Sequence, residues 1–213
     1  MKFDKGIAKK YRQSIESAFE TILEKGNDDH KRVMNAIIDS KITICVHPVS
    51  KVCASGITGV INPERTNDRI ASGRLSLREA LGEVFITIAK ETIDTGFQRG
   101  CEGTFVHEGR HAYDFAQVIE SFSNIDINPL SIYNPTLYEL EYAAHRTSAE
   151  YLLRIAKDEY LQEGVDLMIL SSHEGIHAVC EDGINRRLRE NYGLTEIENQ
   201  GKTASEMFEL MQR

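Results

Sequence analysis

His107-Glu108-Gly109-Arg110-His111 puts two imidazoles four residues apart, with a carboxylate beside the first. On a helix such residues sit about 40° apart around the axis, so both histidines project from one face. Each can then give a ring nitrogen to the same metal ion. Glu108 lies at the edge of that face, where its carboxylate reaches a metal-bound water rather than the metal. The pattern recurs at His173-Glu174-Gly175-Ile176-His177.

A catalytic zinc takes three protein ligands and leaves a fourth position for water. Candidate third ligands lie in Tyr138-Glu139-Leu140-Glu141-Tyr142-Ala143-Ala144-His145, where Glu141 stands 30 residues past His111 and Glu139 is also in reach. These residues resemble the zincin metallopeptidases of the gluzincin type, whose third ligand is a glutamate on a later helix, often in a Glu-x-x-Ala-Asp setting. The resemblance covers about residues 83–150 and is one of motifs. It implies Zn2+ held by His107, His111 and Glu141, with Glu108 as general base in the hydrolysis of a peptide bond in a protein substrate. It also implies that the strand 83–89 forms a sheet edge that holds an extended substrate. His145 stands where many members have aspartate. Asp114, three residues past His111, is placed to orient a ligand imidazole. Tyr133, Tyr138, His145, His173 and His177 are the candidates for stabilising a transition state.

Two other readings compete. Glu108-x-x-His111 and Glu174-x-x-His177 are both Glu-x-x-His, the pair that ferritin-like di-iron bundles place on two helices. Glu16 or Glu20, with Glu141 or Glu150, would complete such a site. A non-catalytic helical interaction protein, in which the motifs are structural, is the third.

The elements that must position these groups follow from periodicity. Ile7, Tyr11, Ile15, Ala18, Phe19, Ile22 and Leu23 mark a first helix ended by Gly26, and Val33, Met34, Ile37 and Ile38 a second, after a turn at 27–29. Residues 42–47, 57–61 and 83–89 are β-rich and read as strands. A polar loop is expected over 64–74, and capping-box spacing at Ser76–Glu79 opens a short helix. The motif helix is expected over 102–122. A long helix from Asn134-Pro135 to about Tyr160 follows, then one capped by Ser171-Ser172 through the second motif to Asn191, and a last short one over 203–211. The order is α+β: one zincin-like domain over 1–213, helical at 1–40, with a small sheet at 41–93. Active-site helices occupy 102–160 and C-terminal helices 165–213.

Composition bounds the rest. The 213 residues suffice for one core, and the net charge of −8 speaks against general affinity for nucleic acid or anionic lipid. Arg186-Arg187-Leu188-Arg189 reads as a solvated basic helix face. Four cysteines without Cys-x-x-Cys spacing fit reduced thiols. The N-terminus lacks a signal peptide's apolar run and no membrane span is present. The expectation is a cytoplasmic protease or a leaderless effector delivered into a target cell.

Overall fold

A computed structural model describes residues 1–124, 126 and 128–210. Its sheet has four strands, β1 (Lys2–Phe3), β2 (Thr43–His47), β3 (Gly56–Val60) and β4 (Val84–Ala89), in the order β1-β2-β4-β3. β1, β2 and β4 run parallel, and β3 returns antiparallel beside β4, pairing Gly56 with Ile88 and Thr58 with Ile86. β4 therefore has a neighbour on each side and is interior, which corrects the expected edge strand over 83–89. Its run Val-Phe-Ile-Thr-Ile-Ala is buried at all but one position, as a strand covered on both faces requires. Among the described strands, the outer edge beside the motif helix belongs to β3.

The motif helix, Glu102–Ser123, is buried on most of its circumference. It buries polar groups, Glu108, His111 and Asp114, along with its apolar ones, because it runs between the sheet, the first two helices and the later helix Leu137–Ile155. Phe105 meets Phe19 of the helix Lys9–Lys25 with ring centroids 4.9 Å apart. Gly109, in the middle of the motif, lets the helix Asp28–Asp39 approach. A Cβ there would lie 2.6 Å from Met34 Cε and 3.2 Å from Ile37 Cδ1. Apolar side chains from every region join one continuous core, so the architecture is mixed and mostly helical around a small sheet.

Four expectations are corrected. The polar loop over 64–74 is a helix, Pro63–Ser72, whose first turn is capped by the Asn62 side chain accepting from the Arg65 amide. It reads as polar because only Thr66 and Ile70 are buried. Residues 27–29 are not a free turn: Asn27 caps the second helix and Asp28 begins it. The long helix starts at Leu137, with Thr136 rather than Asn134 as its cap, and stops at Ile155, where Ala156 turns left-handed. A separate helix, Asp158–Asp166, then contains Gly164.

The largest departure is the second motif. Residues 170–179 form a β-hairpin, β5 (Leu170–His173) and β6 (Ile176–Val179), before a helix at Glu181–Tyr192. Glu174 and Gly175 have φ of 51° and 81°, the two left-handed positions of a tight hairpin turn. The last short helix spans Ala204–Met207; the Met211 of its expected range lies outside the described residues, as do positions 125 and 127. Among the described residues no helix is long and apolar enough to cross a membrane.

Candidate metal centre

The motif helix and the helix Leu137–Ile155 pack against each other and bring His107, His111 and Glu141 together. The two histidine Nε2 atoms are 3.1 Å apart. Glu141 Oε1 is 3.5 Å from His111 Nε2, and Oε2 is 3.7 Å from His107 Nε2. Ligand bonds of about 2.0–2.1 Å at tetrahedral angles put donor atoms about 3.3 Å apart, so this triangle has the size that a zinc-like ion spans.

The orphaned polar atoms point the same way. His111 Nδ1, Glu141 Oε2 and His145 Nε2 are buried and lack any hydrogen-bond partner. Buried polar groups are rarely left so; a cation between them would satisfy the two that face the cluster, Glu141 Oε2 and His145 Nε2. Among the described residues, His107, Glu141 and His145 offer ligand atoms that all lie within 4.8 Å of one another. Burial works against charge on His111 and Glu141. Their mutual attraction outweighs it, raising the His111 pKa and, with help from His107, holding the Glu141 carboxyl far below the usual range. The residues fit a divalent metal with imidazole and carboxylate ligands, a class that includes zinc, iron, nickel and manganese.

Glu139 is engaged elsewhere. Its Oε2 accepts from the Thr136 amide at 2.7 Å and the Thr136 hydroxyl at 3.0 Å, closing a capping box at the helix start. Between the two carboxylates, only Glu141 faces the histidines.

Glu108 points to the sheet edge. Thr58 of β3 donates its hydroxyl to Glu108 Oε2 at 2.7 Å and sits 3.1 Å from the Glu108 carbonyl oxygen. Gly56 of the same strand leaves room for the carboxylate: a Cβ there would lie 2.8 Å from Glu108 Cγ and 3.1 Å from Oε1. Neither Thr58 nor Gly56 carries a spacing signal that a sequence reading could detect.

The other candidates are placed as follows. Asp114 is buried, but Arg110 Nε donates to its Oδ2 at 2.7 Å and the Tyr133 hydroxyl to its Oδ1 at 3.1 Å. Its hydrogen bonds go to these groups, and the buried Nδ1 of His111 has no partner, so Asp114 does not hydrogen-bond that imidazole; His111 stacks on Phe115 at 5.8 Å. Burial and the Asp114 carboxylate push the Tyr133 phenol up to about 12. Tyr138 donates to Asn185 Oδ1 at 2.7 Å. His145 lies beside the cluster, its ring 4.7 Å from that of His107.

His173 and His177 are not in the cluster. His173 pairs with Ile176 and Ser172 with His177 across the hairpin, so the two histidines point to opposite faces. His173 and Glu174 are exposed. This arrangement also removes the second Glu-x-x-His that a di-iron bundle needs. Glu16 and Glu20 face solvent, and Glu150 pairs with Arg146 at 3.3 Å.

Two residues near the site lack any motif. Arg187, from the stretch read as a solvated face, is half-buried and lines a small cavity with His107 and His145. Tyr192, the last residue of its helix, lies close to Glu141 and Glu108. Burial, then the Glu141 carboxylate, pushes its phenol up to about 12, although 45% of the residue stays exposed. Comparison with protein-family models, curated proteins and solved structures finds no match for this chain.

Proposed function

We propose that the chain is a zinc-dependent metalloendopeptidase that hydrolyses a peptide bond in a protein substrate. The observation that carries this reading is what the motif helix presents: His107 and His111 face Glu141 of the neighbouring helix, while Glu108, next to His107 in the chain, turns its carboxylate to the outer strand β3. Zinc bound there would polarise a carbonyl and acidify water. Glu108 is the group placed to take a proton and return it to a leaving amine. Thr58 holds one of its oxygens, which fixes the carboxylate's direction at the strand edge. An extended peptide would pair with β3, whose outer side carries no strand in the described sheet. Tyr192, with its phenol kept protonated, is a donor beside the same carboxylates.

The test is the isosteric change Glu108→Gln in protein purified with its metal. Peptide hydrolysis should fall by about 10²–10⁴-fold, the contribution of a general base, while the metal content stays unchanged. Equal hydrolysis in the two proteins would overturn the reading. An effector role in a target cell and a housekeeping role share this chemistry.

A further inference from the structure

Each of the two packed helices offers the cluster two residues spaced four apart. The motif helix brings His107 and His111; the later helix brings Glu141 and His145, which lie on one face of it by the same spacing. The geometry points to His145 as a fourth protein ligand, so that the site would hold its metal with three imidazoles and one carboxylate, and the water of the proposed hydrolysis would have to enter as a fifth ligand. This rests on the metal-site reading above and departs from the resembling family, where aspartate is common at this position.

Three observations carry it. His145 is buried and its Nε2 has no hydrogen-bond partner. That nitrogen is 3.9 Å from Glu141 Oε2, too far for a hydrogen bond and close enough for two ligands of one ion. Glu141 Oε2 is itself without a partner and faces both His107 at 3.7 Å and His145, while Oε1 turns to His111. The carboxylate thus stands between His111 on one side and His145 on the other, with His107 common to both. A buried imidazole left with an unpaired nitrogen costs free energy that a coordinate bond would recover. A pure orienting role fits less well, because His145 makes no hydrogen bond to any of the ligands.

The experiment is X-ray absorption on the full chain loaded with Zn2+, together with Co2+ titration followed by its visible spectrum. The expected wild-type result is three imidazoles per zinc. His145→Ala should show two, a changed cobalt spectrum, and Zn2+ affinity lower by more than the about 10–100-fold typical of losing an outer-shell partner. His145→Gln serves if the alanine variant does not fold, and the wild-type imidazole count needs no variant. Two imidazoles in the wild type, with a cobalt spectrum that His145→Gln leaves unchanged, would overturn the assignment while the three-ligand site stands. A wild-type chain that binds neither metal removes both.

Discussion

At the scale of residues, the site depends on very few close contacts. Gly56 is one of them. Its missing side chain gives Glu108 the space over β3, and a methyl group there meets both Glu108 Cγ and Thr104 Cγ2 at 2.8 Å. Gly56→Ala should therefore displace the carboxylate. Because small misplacements of a reacting group cost up to about 10²-fold in rate, hydrolysis should drop by that order while zinc content holds. A matched kinetic and metal assay checks this, and full activity in the variant would show that Glu108 need not lie against the strand. Of these contacts the sequence shows only the motif itself. His107, Glu108 and His111 are legible because a helix converts spacing into direction. Thr58 and Gly56 reach the site through sheet register, which no local pattern encodes.

At the scale of elements, the position of the Leu137–Ile155 helix matters most, because it carries Glu141 and His145. Part of its anchoring is His30, buried at the start of the second helix. The Asn27 amide donates to His30 Nδ1 at 3.1 Å, and His30 Nε2 donates to the Thr147 carbonyl at 3.0 Å. Both ring nitrogens are used by the neutral form, and a second proton would break the bond from Asn27. Burial, against the weaker pull of the Thr147 carbonyl, lowers the His30 pKa. The native state therefore binds this proton less readily than the unfolded chain. Its stabilisation is complete above the unfolded value of about 6.5 and is lost as pH falls from there through the lower native value. Urea unfolding between pH 8 and 5 should show stability declining in that window, with a shallower decline in His30→Gln. Identical slopes would show that His30 contributes nothing to it.

The same scale shows where pattern reading fails. The five residues His173–His177 match a helical template, but Gly175 at positive φ and the β-paired residues around it make a hairpin. Alternation in Leu170–Val179 is weak because the hairpin is largely exposed, so the template had no strong competitor in the sequence. The Pro63–Ser72 helix was hidden for a related reason, since a mostly solvated helix offers almost no apolar stripe. β4 was legible as a strand from its apolar run. Its interior position was not, because edge or centre is decided by the return of β3.

At the scale of the whole molecule, the metal would tie together two helices that the core already packs. A ligand that binds only the native state stabilises it by about 2.7 kcal/mol at a free concentration 100 times its Kd. Zinc should raise the melting temperature and a chelator should lower it, reversibly on adding zinc back. A melting temperature indifferent to both would separate the metal from the fold. Glu141 is the residue on which the cluster converges: its two oxygens lie 3.5 Å from His111, 3.7 Å from His107 and 3.9 Å from His145. The most direct measurement is therefore metal analysis of the chain purified without added metal, beside its Glu141→Ala variant. One zinc per wild-type chain and far less in the variant is the expected result. No metal in the wild type under any loading, or zinc retained in full by Glu141→Ala, would contradict it.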